Sequence, residues 1–430
     1  MAEQLDRTLH QKGIVLEWIN RKCIGTVEAA TGYGKTRVAE IAARNWQRRT
    51  KTAGYITVIV PTDFLQKQWE ERFTQLNIRD FQVLIINTAI KSSFSTNLLI
   101  LDEIHCYTSE QYGRIFEVCD YTAILGLTAT LENVERRSFI EQRCPIIATV
   151  TLNECHKRKW ISDFRVYNYG IPVTADTISK YNKINQEFNN LHGFFWHDFD
   201  LAMACLRGKG SRFLSFCTQV SMDSGVVIGR ARKWMTLMKK RKDILYTADE
   251  KIDACIEVIE HFSEGETKNV IIFSSTTDFA DRITERINKK LGYEGCVSYH
   301  SKIKGRVVNG KKVGAKKMRD LVVEWFTDPN NPVHILSTAK ALDTGANLPL
   351  INLEIVTSGS SKQRQAIQRF GRSLRYVEGK LTIIIELYLR STQDESWLRD
   401  RQKQVPKRLI QKIKSLGEIE MEEIAHDTRS

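Results

Sequence analysis

A chain of 430 residues is too long for one ordinary hydrophobic core and suits two or three domains of roughly 100–200 residues each. Its 42% hydrophobic and 27% charged residues describe a globular protein, and no run of about 18 uncharged apolar residues argues for a membrane span. The formal charge of +13 suits a polyanionic partner, since surface Lys and Arg displace counterions condensed on phosphates, although an inert basic protein would carry the same number. The opening "MAEQLDRTLHQ" has no apolar signal-peptide core, and nine scattered cysteines without a CxxC pair read as reduced structural thiols in a cytosolic compartment.

The first element with chemical content is "EAATGYGKTRVAE", Glu28 to Glu40, a loop running into a helix. Gly32 and Gly34 free the backbone to curl N–H groups around phosphate oxygens, and the following helix aims its positive dipole end at the anion. Lys35 supplies a point charge for the outer phosphates and Thr36 a hydroxyl for Mg²⁺. Ala29 stands where the pattern usually opens with Gly, a mild departure because that position needs only a small residue. A Gly-rich turn before an ordinary helix also explains the stretch until a second element joins it. That element is "LLILDEIH", Leu98–His105, read as a buried parallel strand that delivers two carboxylates at its C-terminal end. Asp102 is then the Mg²⁺ ligand, and Glu103 orients and deprotonates the attacking water.

Three further strands share this half. Tyr55–Val60 leads to Pro61-Thr62 and a helix, "FQVLIINTAI" ends near Asn87-Thr88, and "TAILGLTAT" ends at Thr128-Ala129-Thr130. A parallel sheet presents such small polar residues on one edge, where they bond sugar-phosphate oxygens without reading bases, or simply form turns. The set "ATGYGKT", "PTDFLQKQW", "LDEIH" and "LTAT" resembles the first motor domain of superfamily 2 helicases of the DExH type. The resemblance implies an ATP site from Ala29, Thr31, Gly32, Tyr33, Gly34, Lys35 and Thr36 with Asp102 and Glu103. It implies nucleic-acid backbone contacts from Pro61, Thr62, Asn87 and Thr88, and Gln11 as the adenine contact, with Arg7 one place early for the Arg that often precedes it.

A second α/β pattern begins near Lys251. "NVIIFSSTTDFADRITERI" reads as a strand (Val270–Phe273), a Ser/Thr turn and an amphipathic helix; "VHILSTAKALDTGANLP" is another strand and turn. In "QAIQRFGRSLR", Arg372 and Arg375 stand three apart and leave one helix face together, a spacing suited to neutralising charge on a transferring phosphoryl group. By resemblance these are the fourth, fifth and sixth helicase motifs, so that the likeness covers roughly residues 10–150 and 250–390. It implies backbone contacts from Ser274, Ser275 and Thr338, a nucleotide-sensing Gln368, arginine fingers Arg372 and Arg375, and a fifth-motif Gly345. Asn347 stands where the family usually has an acid, which puts the nucleotide-linked role of that position in doubt.

Residues 151–250 belong to neither pattern and read as a mostly helical insertion. Its run 230–242 carries seven Lys/Arg around Trp234, either a solvated helix face or the wall of a nucleic-acid channel. Phe194, Phe195, Trp196 and Phe199 read as core rather than base-stacking platforms. Between "SYHS" and "RDLVVEWF" lies "KIKGRVVNGKKVGAKK", seven of whose sixteen residues are Lys or Arg. Asn309-Gly310 between β-branched runs signals a two-residue hairpin, with Arg306, Lys311 and Lys312 as nucleic-acid contacts or as parts of a surface loop.

The expected architecture is α/β: two RecA-like parallel-sheet domains in tandem, at 1–150 and 251–400, with a mostly helical insertion at 151–250 and a C-terminal helix and tail at 401–430. The expected activity is that of an ATP- and Mg²⁺-dependent DNA helicase or translocase, similar to compact phage and bacterial repair or branch-migration enzymes, which moves along and unwinds or remodels branched DNA. A duplex translocase without strand separation, an RNA helicase and a non-catalytic nucleic-acid scaffold are the alternatives. The expected partner is single-stranded, forked or branched DNA, or RNA, bound by a monomer in a bacterial or phage-infected cytoplasm, with no membrane.

Overall fold

The structure is a computed structural model that describes residues 2–49, 54–129, 131, 133–263, 269–308, 310–339, 351–358, 374 and 376–419. In the first half the strands are β1 (Ile24–Ala29), β2 (Ile56–Val60), β3 (Phe81–Ile85), β4 (Phe94–Asp102), β5 (Cys119–Thr128) and β6 (Ile146–Val150). They form one sheet in the order β3-β2-β4-β5-β1-β6, with every neighbouring pair parallel. Leu98–Leu101 of β4 are fully buried, as a strand covered on both faces requires. One face packs on helices Lys35–Arg49 and Asp63–Gln75 through Val38, Ala42, Trp69 and Phe73; the other is covered by Tyr107, Ile115 and Ile140. Each large apolar side chain sealed this way contributes roughly 1.5–3 kcal/mol.

The second sheet contains β7 (Asp163–Ile171), β8 (Val270–Ser274), β9 (Cys296–Tyr299), β12 (Ile335–Ala339), β13 (Leu353–Val356), β14 (Leu381–Leu389) and β15 (Ile410–Ile413). Its order is β15-β7-β14-β13-β8-β12-β9, again all parallel. The two parallel sheets in tandem agree with the expected class. Two strands come from outside 251–400. β7 lies in the stretch read as insertion, and pairs with β14 from Leu381↔Asp163 to Leu389↔Ile171. The stretch 401–430, read as a helix and tail, instead supplies β15 on the outer side of β7; "LIQKI" follows the 3₁₀ turn Lys407–Leu409 and buries Ile413 against the sheet.

Five helices are described between β7 and β8; the first four, Ala175–Phe194, Phe199–Arg207, Ser211–Gln219 and Ser224–Tyr246, have a core of their own around Phe188, Phe195, Phe216 and Trp234, and the fifth is Asp249–Ser263. The basic run 230–242 is thus one helix that buries Ala231, Trp234 and Leu237. Phe195 is core as expected, but Trp196 is 56% and Phe199 51% exposed. The reason is the turn: Trp196 and His197 take left-handed backbone at the end of the first helix, which swings both rings to the rim. β10 (Arg306–Val308) and β11 (Lys311–Val313) form the separate basic hairpin signalled by Asn309-Gly310. The two lobes share apolar packing, since Leu374, Ile384 and Val405 join Tyr33, Trp160 and Ile161 in one cluster. Among the described residues, no helix is long and apolar enough to cross a membrane.

Candidate nucleotide site and nucleic-acid face

Because every strand of the first sheet runs the same way, the ends of β1, β4 and β5 converge on one edge. The loop after β1 turns through Gly32 at φ +91° and Gly34 at φ +94°, backbone that a side chain would strain. A Cβ on Gly34 would also stand 2.8 Å from Gln11 Nε2. Gln11 is buried and donates from Nε2 to the Tyr33 carbonyl at 2.9 Å, so the first helix props the loop directly. Tyr33 is fully buried against Trp160, and its hydroxyl shares a 2.7 Å hydrogen bond with His10 Nδ1. Burial pushes the Tyr33 phenol up and His10 down, which keeps both neutral.

Lys35 opens the helix and reaches back across the loop to the Ala29 carbonyl at 3.1 Å, while Thr36 stands exposed beside it. Thr31 Oγ1 is buried without a hydrogen-bond partner inside the same loop, a costly arrangement unless a ligand supplies one. The curled glycines, the crossing ammonium and the orphaned hydroxyl fit an anionic phosphate chain.

Asp102 ends β4 on the same edge. Its two carboxylate oxygens accept from Trp69 Nε1 at 2.8 Å and from the Glu103 amide at 3.1 Å. Burial first, and the Glu103 charge second, push its carboxyl up to about 6, against the opposing pull of Trp69 and Lys35. Glu103 has left-handed backbone at φ 51° and ends 3.1 Å from His105 Nδ1, which also lies 2.9 Å from Thr128 Oγ1 on β5. Among the described residues no three His, Cys, Asp or Glu side chains cluster as a metal cage. Mg²⁺ suits such a site, because it takes one or two protein oxygens and completes its shell from phosphate and water. Asp102 and Thr36 are the residues that would hold it.

The second lobe meets this loop. A pocket of about 380 Å³ is bounded by Gln11, Gly32, Gly34 and Arg37 on one side and Tyr376 on the other. Leu374 is fully buried, and its carbonyl lies 3.6 Å from where a Gly32 Cβ would be. Gln368, Arg372, Arg375 and Gly345 lie outside the described residues, as do Thr130, Asn309 and Asn347. A larger cavity of about 530 Å³ sits at the lobe junction, but its His156 and Asp163 pair with each other at 2.6 Å and no residue of the Gly32–Thr36 loop lines it.

The residues expected on nucleic acid divide by what they already hold. Thr62 caps the helix Asp63–Gln75 by accepting from the Leu65 amide, and Pro61 precedes it half-exposed. Asn87 and Thr88 are exposed at the end of β3. Ser274 is committed internally, donating to the Thr276 and Thr338 carbonyls. By contrast, Ser275 Oγ and Thr338 Oγ1 are buried without hydrogen-bond partners at the same sheet edge. Trp69 and His105, which position the two acids, were not singled out by the sequence reading; the only signal was their place inside "PTDFLQKQW" and "LDEIH".

Residues 4–94 match the family model described as the res subunit of type III restriction enzymes, and residues 250–377 match the helicase conserved C-terminal domain. The chain carries a superfamily 2 helicase/ATPase core. The DNA 3'-5' translocase XPB2 of Sulfurisphaera tokodaii is 22% identical over 420 residues, covering 93% of this chain and 85% of that protein. The Pyrococcus furiosus Hef helicase domain superposes with a TM-score of 0.55 at 16% identity, covering 92% of this chain and 98% of the other. Saccharomyces cerevisiae Dbp5 bound to RNA and ADP BeF3 gives 0.58 at 12%, covering 95% and 90%. At these identities the structural likeness is one of fold.

Proposed function

We propose that this chain hydrolyses ATP to move along DNA and to unwind or remodel forked and branched duplexes. The observation that carries the reading is convergence on one loop: Lys35 crosses it to the Ala29 carbonyl, Asp102 and Glu103 end β4 on the same sheet edge, and Tyr376 of the second lobe shares a pocket with Gln11, Gly32 and Gly34 of its outer side. Thr31 and the amides around Gly32 and Gly34 grip phosphate oxygens, and Lys35 moves from the Ala29 carbonyl to the outer phosphates. Mg²⁺, if held by Asp102 and Thr36, would supply positive charge against the phosphate chain. Glu103 takes the proton of the attacking water, held in place through His105. Gln368, Arg372 and Arg375 are assigned, from the sequence, to complete the site from the second lobe. ATP then favours closure of the lobes and its loss favours opening, so Asn87, Thr88, Ser275 and Thr338 hold a backbone at alternating spacings.

A second reading, translocation on duplex DNA without strand separation, is favoured by the likeness to XPB2 along 93% of the chain. The kind of nucleic acid is settled by assay. ATP turnover measured with single-stranded DNA, forked DNA, a four-way junction and RNA tests the proposal. Strongest stimulation by branched DNA supports it; strongest stimulation by RNA, or none by any, rejects it. A strand-displacement assay run beside triplex displacement separates the two readings.

A further inference from the structure

Helix Ala2–Asn20 is apolar on two sides. One side packs into the core of the first lobe through Ile14, Val15 and Trp18. With about 100° between successive residues, Leu5, Leu9 and Leu16 fall within about 40° of one another, roughly 150° round the helix from that buried side. These leucines are 63%, 56% and 60% exposed, and Lys12 stands exposed in line with them. The spacing 5, 9, 12, 16 alternates four and three residues, the a/d rhythm of a two-helix seam. The face is open as well as apolar, since a Cβ on Gly13 beside it would meet nothing within 4 Å. A contiguous row of exposed leucines marks a contact surface where single ones would not.

The seam is complementary to itself. Turned end for end about a two-fold axis at its middle, Leu5 meets Leu16 and Leu9 meets Lys12, because each pair of numbers has the same sum. Thr8 then meets Gly13, two small residues that let the helices approach closely. Charge agrees with this register. Lys12 pairs with no carboxylate among the described residues, and the pairing sets it one turn from Asp6 of the other copy. Asp6 accepts from Trp160 and faces Arg158 through Oδ2, which leaves Oδ1 without a partner among the described residues.

We propose that two copies of this chain associate through helix Ala2–Asn20, antiparallel, with Leu5 on Leu16 and Lys12 beside Asp6 across the two-fold axis. This departs from the monomer expected from the sequence and is independent of the reading of the nucleotide site. One helix pair lies at the small end of specific interfaces, so the dimer should be weak, with a Kd on the order of 10–100 μM. Sedimentation velocity of the full, nucleic-acid-free chain over roughly 1–300 μM brackets that affinity and should show a concentration-dependent dimer. Leu9→Glu and Leu16→Glu alter exposed positions; each should keep the unaltered circular dichroism and remain monomeric throughout. Lys12→Leu should tighten the dimer roughly tenfold, because a polar residue at one seam position costs stability. Register is read by oxidative cross-linking: Leu5→Cys mixed with Leu16→Cys should form an intermolecular disulfide. Leu5→Cys alone should not, since its two sulfurs would stand about 16 Å apart along the seam. A monomer at every concentration, a dimer indifferent to Leu9→Glu and Leu16→Glu, or cross-linking of Leu5→Cys to itself overturns the proposal.

Discussion

His105 Nδ1 lies 2.9 Å from Thr128 Oγ1, joining the segment after β4 to the end of β5. The same nitrogen is 3.1 Å from Glu103 Oε2, and that carboxylate favours the tautomer with hydrogen on Nδ1. One imidazole thus links the acid assigned to water activation with the end of β5, which the proposal places toward nucleic acid. Thr128→Val keeps the volume and removes the hydroxyl. It should cut nucleic-acid-stimulated turnover roughly five- to tenfold, about 1–1.4 kcal/mol, while basal turnover changes less. Equal losses in both rates would refute the link.

Trp69 holds Asp102 through a 2.8 Å bond from its indole N–H. Trp69→Phe keeps most of the buried ring but leaves that carboxylate oxygen short of a donor. The loss should raise the magnesium concentration needed for half-maximal turnover by roughly tenfold, in line with about 1.5–3 kcal/mol for a hydrogen bond to a charged group. Circular dichroism of the variant should be unchanged.

The Asp102 carboxyl, raised to about 6, sets an acid limit. Above that value it is ionised and able to take a cation; below it the proton occupies the same oxygens. Turnover should therefore fall as pH drops through about 6, and excess magnesium should move the midpoint to lower pH. Trp69→Phe should move it higher. A pH–rate profile at two magnesium concentrations measures all three shifts, and a midpoint indifferent to magnesium assigns the titration to another group.

Lys251 donates to Asp394 Oδ2 at 2.6 Å with both side chains fully buried, and the same oxygen accepts from the Leu389 amide. This pair ties helix Asp249–Ser263 to helix Gln393–Arg401 beneath β14. Lys251→Ala strands a buried carboxylate and should destabilise the second lobe by roughly 3–5 kcal/mol. Thermal melting followed by tryptophan fluorescence should show a large drop in midpoint, and a drop of a degree or two would contradict the assignment.

Local grammar carried much of this site. The β1 loop, the acids ending β4 and the caps after β2 and β8 are written in short stretches whose order along the chain sets their place on a parallel edge. What the sequence hid is long-range. Nothing in "DFRVYNYGI" or "LIQKI" says that they flank β14's sheet, because parallel strands pair with partners more than 200 residues away in the first case. Trp196 looked like core by composition, yet its outward turn depends on left-handed backbone at Trp196 and His197. Lys251 read as an ordinary helix lysine; only the fold sets Asp394 against it. Arg306 counted as one more hairpin cation until Glu294 and Trp325 were seen to hold it.

The central claim is that one ATP site couples hydrolysis at Glu103 to a nucleic-acid strand. Steady-state ATP hydrolysis with and without single-stranded DNA, in the unaltered chain and in Glu103→Gln, addresses it directly. The account predicts stimulation of roughly tenfold or more in the former, and in the latter no turnover with ATP binding retained. Hydrolysis indifferent to DNA, or undiminished in Glu103→Gln, would contradict it.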